Sequence, residues 1–210
     1  MGIKERVEIA GRLLGRGIYD LIETARLVRR DPETIARWTR GKDPLYPVAD
    51  TRLLSFLDVI SLLVVSELVE RKVPKREIRT GAQYLAEALE TSYPFAHEEL
   101  ATAGAAFFGK IRDWVDVGKG GQGAFEPVIR DLLRPIEYGS DRLAAIWRPR
   151  SGIWVNPAVQ AGAPCVDGTR VPTQVIAELV EANEDAEDIA EDLHLEVSAV
   201  EAALAYERAA

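Results

Sequence analysis

The dipeptide Asp31-Pro32 constrains this chain more than any other pair of residues. Proline disfavours helical geometry at the residue before it, yet it suits the first position of a new helix, and aspartate is a good N-cap. One helix must therefore stop before Asp31 and another must start at Pro32. On the near side, Leu21, Ala25 and Val28 fall on one face of a short helix, with Ile22 on its edge. On the far side, a helix from Glu33 to about Thr39 buries Ile35, with Trp38 either buried beside it or reaching outward with Thr34, Arg37 and Arg40. Two short helices meeting at a tight turn can lay the second one in a DNA groove, where its first residues meet base edges and its arginines neutralise phosphate. The turn Arg29-Arg30 and the following Lys42 add cations to the same stretch. The candidate DNA-binding residues are thus Arg29, Arg30, Thr34, Arg37, Trp38, Arg40 and Lys42.

Beyond this pair, residues 43–52 (DPLYPVADTR) carry two prolines that exclude helix and predict a wing or bulged hairpin, with Lys42 and Arg52 near a duplex backbone. Leu53 to Lys72 reads as one long helix, apolar on more than one side, and such a helix must be covered on several faces. Neighbouring segments of the chain or a second copy can supply that cover, and the second copy is the one expected, which predicts a homodimer. Val73-Pro74 breaks that helix, and Lys75 to Thr91 forms the next, with Ile78, Ala82, Leu85 and Leu89 inward and Lys75, Arg76 and Arg79 outward. The run Pro32, Thr34, Ile35, Arg37, Trp38, followed by Leu53 to Asp58, Val73-Pro74 and Ile78, resembles the MerR-type winged helix-turn-helix family. That resemblance implies a DNA-reading domain. The chain differs from effector-responsive members in lacking their long dimerising helix, and from metal-sensing members in lacking their cysteines.

Charge is distributed unevenly. The whole chain carries net charge −8, but residues 1–52 hold eleven Lys and Arg against eight Asp and Glu, whereas residues 165–210 hold two against twelve. One end can neutralise phosphate and the other is repelled by it, so two different partners are expected. The single cysteine, Cys165, excludes an intramolecular disulfide and fits a reducing cytoplasm. Two histidines, His97 and His194, are far apart and offer no metal-ligand set. No apolar run is long enough for a signal peptide or a membrane span, and the first eleven residues predict an amphipathic lead-in helix with Val7, Ala10 and Leu14 inward.

The middle of the chain predicts a small α/β module. Phe107-Phe108, Trp114-Val115 and Val117 are short β-type runs, Phe125 to Leu133 is a helix, and Ile136 to Tyr138 and Leu143 to Trp147 form a hairpin across Gly139-Ser140-Asp141. The glycine-rich loop Gly118 to Gly123 fails the Walker pattern, because Lys119 precedes the glycines and no Gly-Lys-Ser/Thr closes them. Asp113 and Asp116 are paired carboxylates of the kind that hold a nuclease metal, but residues three apart on a strand face opposite sides. No cofactor, metal site or enzymatic activity is expected.

The last block, from Ile153 through Gly168-Thr169-Arg170 to Tyr206, predicts a β-ribbon followed by three short helices, the last capped by Ser198 with Glu201 completing a capping box. Gly162, Pro164, Gly168, Thr169, Arg170, Pro172, Ala203, Leu204 and Tyr206 together are similar to the antitoxin family catalogued as domain of unknown function 433. The chain departs from its pattern at Asn183, where glycine is usual, and at Leu193-His194, where tyrosine is usual. The resemblance implies a VapB-type antitoxin paired with a PIN-like nuclease toxin. Such a nuclease clusters carboxylates around a divalent metal. Arg170 at the tip of its turn can enter that cluster, or it can be held by an internal salt bridge or by turn-stabilising hydrogen bonds. The candidate toxin-binding residues are Thr169, Arg170, Glu184, Asp185, Glu187 and Asp188.

The expected fold is mainly α with small β elements, arranged as a winged helix-turn-helix over residues 1–92, a central α/β linker module over 93–150, and a helical partner-binding domain with a β-ribbon over 151–210. The expected function is that of a cytoplasmic antitoxin and autorepressor, binding double-stranded operator DNA and a PIN-like toxin protein. The alternative is a stand-alone MerR-like regulator responding to a small ligand in the middle module.

Overall fold

In the computed structural model, which describes residues 15–50, 52–102 and 125–209, the first helix is entered through a reciprocal cap. Glu23 N–H donates to Asp20 Oδ1 at 2.8 Å and Asp20 N–H donates to Glu23 Oε2 at 2.8 Å, so two otherwise orphaned amides are satisfied at the start of α1 (Leu21–Val28). The helix ends at Arg29, which takes the left-handed conformation at φ 57°, and the next amide, Arg30 N–H, turns back to Ala25 O at 2.9 Å. Asp31 then caps α2 (Pro32–Thr39), accepting from Thr34 N–H at 3.0 Å, with Pro32 in the first turn. Before this pair, β1 (Gly17–Tyr19) lies antiparallel to β2 (Leu54–Ser55). Their approach requires Gly17, since a Cβ there would sit 2.5 Å from the Leu53 carbonyl oxygen.

The long helix expected from Leu53 begins three residues later. Leu53 is exposed, Leu54-Ser55 is strand, and Ser55 and Asp58 form the capping box of α3 (Phe56–Glu70). The stripe Leu63, Glu67 and Glu70 in the second half of the helix stays partly open, while Phe56, Leu57, Val59, Ile60, Leu62, Val64, Val65 and Leu68 are all buried. Their cover comes from the same chain: α1, β1, α4 (Lys75–Ala88), a 3-10 turn at Pro94–Ala96 and α6 (Phe125–Leu133) all pack on α3. Neighbouring segments of the chain thus supply this cover, one of the two sources the apolar pattern allows. Between them, α5 (Glu98–Thr102) follows the 3-10 turn.

No wing forms among the described residues between α2 and β2. That segment is instead a folded-in loop: Leu45 and Tyr46 are buried, Tyr46 N–H donates to Trp38 O at 2.9 Å, and the Tyr46 ring stacks on Phe95 with centroids 6.0 Å apart. Two apolar side chains in a proline-punctuated loop gain more from burial than a solvent-exposed hairpin would from a few ladder hydrogen bonds. After α6, β3 (Ile136–Tyr138) leads into a turn closed by Gly139 N–H on Leu143 O at 2.9 Å.

The described residues divide into two compact units, 15–144 and 145–209. The boundary falls inside β4 (Ala144–Arg150). In the second unit β4, β5 (Ile153–Val155) and β6 (Cys165–Val166) form an antiparallel meander, with Trp147 opposite Val155 and Ile153 opposite Val166. Helices α7 (Thr173–Glu181), α8 (Ala186–Asp192) and α9 (Val197–Glu207) close over it. Ile153, Val166, Ile176, Ile189, Ala190, Val200, Ala203 and Tyr206 make the core. The fold is thus mainly helical with small antiparallel sheets, as the pattern predicts.

Ser198 is not the cap of the last helix. Ala199 N–H already donates to Glu196 O at 2.8 Å, so Glu196 is the N-cap, without a side-chain bond, and Ser198 sits exposed in the first turn. Asn183, standing where the resembled family has glycine, takes φ 69° and ends α7 in the left-handed region that asparagine tolerates well. The lead-in helix, the runs at 107–117, the 118–123 loop and the pair Asp113 and Asp116 lie outside the described residues.

Candidate functional site

The first candidate surface is built on α2. Its buried face is Ile35, Trp38 and Thr39, and its remaining side chains point outward, with Arg37 and Arg40 exposed. Trp38 is only 4% exposed, and its carbonyl accepts from the Tyr46 N–H of the inward loop, so it is a core residue and not a groove contact. Ile22 departs from expectation in the other direction: it is 69% exposed, because Thr24, Ala25, Leu27 and Val28 take the buried face of α1.

Of the two arginines in the turn, Arg29 is exposed. Arg30 is committed elsewhere, donating through Nε to Ser66 Oγ at 2.7 Å and pairing with Glu70 on α3. Lys42 is exposed beyond the helix. Next to it, Asp43 pairs with Arg79 of α4 at 2.7 Å, which fixes the loop and removes Arg79 from the set of available cations. Lys75 and Arg76 remain exposed.

Thr34 does more than line the surface. Its hydroxyl donates to Asp31 Oδ2 at 2.8 Å and accepts from Arg37 Nη2 at 3.0 Å, giving a chain Asp31–Thr34–Arg37 along the start of α2. The Thr34 hydroxyl and amide both stabilise the Asp31 carboxylate, holding its pKa below the ordinary value of 3.8. The spacing Asp-x-x-Thr-x-x-Arg was visible in the sequence, but the direction of each hydrogen bond was not.

The second candidate surface is the turn after β6. Gly168 takes φ 74° in open space, as a tight turn needs. Thr169 holds the turn from inside: its hydroxyl donates to Val166 O at 2.9 Å and accepts from Val171 N–H at 3.1 Å. Its carbonyl accepts from Trp154 Nε1 at 3.2 Å, and the carbonyl of Arg170 accepts from Gln160 Nε2 at 2.9 Å. Sequence reasoning missed these braces, because Trp154 and Gln160 come from outside the turn. With the backbone so tied, the Arg170 side chain is exposed and makes no ion pair among the described residues, so the internal salt bridge is not observed. The neighbouring Asp167 pairs instead with Arg148 at 3.0 Å.

Glu184, Asp185, Glu187 and Asp188 are all exposed around the junction of α7 and α8. Cys165 is a buried thiol whose pKa burial pushes up to about 11, which keeps it protonated and unreactive. Among the described residues no three His, Cys, Asp or Glu side chains gather as metal ligands, and no helix is long and apolar enough to cross a membrane.

Residues 153–206 match the family described as "Protein of unknown function (DUF433)". The match covers the β5-to-α9 block that holds the Arg170 turn. The chain is also similar to the crystal structure of Rv2018 from Mycobacterium tuberculosis, at 20% identity and a TM-score of 0.69, over 90% of this chain and 97% of that one. At that identity the likeness is one of fold. No curated protein matches the chain.

Proposed function

We propose that this chain is the antitoxin of a type II toxin–antitoxin pair, a cytoplasmic autorepressor that binds its operator through a helix-turn-helix formed by α1 and α2 and neutralises a PIN-like ribonuclease through residues 153–206. The observation that carries this reading is the opposition of the two units. One exposes Arg29, Arg37, Arg40 and Lys42 around a capped helix pair, and the other exposes Glu184, Asp185, Glu187 and Asp188 together with Arg170 on a braced turn.

On the DNA side, α2 enters the major groove with Thr34 and Arg37 near its leading end, while Arg29, Arg40 and Lys42 neutralise phosphates. Arg30 holds the pair on α3 and does not face the duplex. Two copies bound to a symmetric operator place two such helices about one turn of DNA apart. On the partner side, the Arg170 guanidinium enters a carboxylate cluster in competition with its divalent metal, and the acidic helices cover the basic surface that holds RNA. Thr169 serves by fixing the turn.

The full chain is co-expressed with the product of the gene beside its own and purified through a tag on one partner. The expected result is copurification, together with specific retardation of a duplex from the upstream region. Absence of both would overturn the proposal, and DNA retention without copurification would leave a regulator acting alone.

A further inference from the structure

The hydrogen-bond chain at the start of α2 has a consequence for base reading, and it rests on the DNA-binding proposal above. We infer that Thr34 is a positioning residue that presets the Arg37 guanidinium for the acceptor edge of a guanine. An exposed arginine ordinarily samples many rotamers, and fixing it on binding costs conformational entropy. Here one Nη2 hydrogen is held by Thr34 Oγ1 at 3.0 Å, and the Thr34 hydroxyl is itself oriented by Asp31 Oδ2 at 2.8 Å. A guanidinium has five N–H donors, so four remain for a partner.

The tether runs from Arg37 back by three residues, which draws its head group toward the leading end of α2. That is the end a recognition helix presents to base edges. A planar donor pair held in one orientation suits the O6 and N7 acceptors of guanine, whereas a phosphate contact tolerates any orientation. Lys42, exposed beyond the helix, supplies an orientation-independent part.

The test is selection of duplexes from a randomised pool by the full chain and by its Arg37→Ala, Thr34→Val and Thr34→Ser variants. Thr34→Val keeps the shape and the backbone amide that donates to Asp31 Oδ1, so the cap survives while the hydroxyl is lost. The wild type is expected to enrich a site with a guanine that Arg37→Ala no longer selects. Thr34→Val is expected to reduce preference at that same position about tenfold, with an unchanged salt dependence, and Thr34→Ser to restore it. Preference unchanged in Thr34→Val, or reduced equally at all positions, overturns the inference while the DNA reading stands. A wild type that enriches no sequence overturns both.

Discussion

Arg30 and Ser66 are 36 positions apart, and Arg30 Nε donates to Ser66 Oγ at 2.7 Å while the same guanidinium pairs with Glu70. This contact ties the turn between α1 and α2 to the middle of α3. Arg30→Ala is expected to lower unfolding free energy by about 1–2 kcal/mol, the worth of a partly buried charged hydrogen bond. Urea unfolding measures this. In the proposed DNA-binding role the same change should leave the salt dependence of binding as in the wild type, because loss of a phosphate-contacting arginine would reduce it by about one ion.

Arg29 ends α1 at φ 57°, a conformation that costs a residue with a Cβ about 1 kcal/mol and glycine almost nothing. Arg29→Gly should therefore raise the thermal midpoint. A lowered midpoint would show that the arginine side chain contributes more than its backbone strain removes.

Asp31 has a lowered pKa, from the Thr34 hydroxyl and amide, so its carboxylate stabilises the folded state when ionised. For a group whose folded pKa is depressed, that contribution is complete above the ordinary aspartate value of 3.8 and is lost as pH falls through the lower folded value. Asp31→Asn keeps an N-cap but does not titrate. Melting curves of the two proteins should differ at neutral pH and converge in acid, and a constant difference across that range would contradict the assignment.

Arg170 is exposed and unpaired among the described residues, so Arg170→Ala should change unfolding free energy by less than about 0.5 kcal/mol. In the proposed role the same change should abolish copurification of the toxin. Loss of fold together with loss of partner would place the arginine in the structure of the unit and not in its interface.

The helix pair was legible because its signals are local: Asp31 and Pro32 act on the backbone beside them, and the cap appears as the rules require. Trp38 was legible only as core or surface, because the inward fold of the following loop, whose Tyr46 N–H meets the Trp38 carbonyl, is encoded by no periodicity. The apolar surface of α3 was read correctly as needing cover, but a sequence does not say whose atoms provide it. Ser198 looked like a cap because its residue type favours one, yet the burial of Val200, Ala203 and Tyr206 fixes the helix against its core and lets Glu196 start it. At the Arg170 turn, Gly168 and Thr169 were legible as turn formers, while the braces from Trp154 and Gln160 needed three-dimensional proximity.

The enclosure of α3 bears on how the first unit comes apart. Over Phe56–Leu62 every residue of the helix is buried beneath segments from before and after it in the chain, so none of those segments can detach without exposing its core. Arg30 carries that dependence into the turn between α1 and α2. The α1–α2 pair is therefore expected to melt in one cooperative transition with the helix behind it, and amide exchange along α2 to follow the global unfolding of the unit instead of a local fraying.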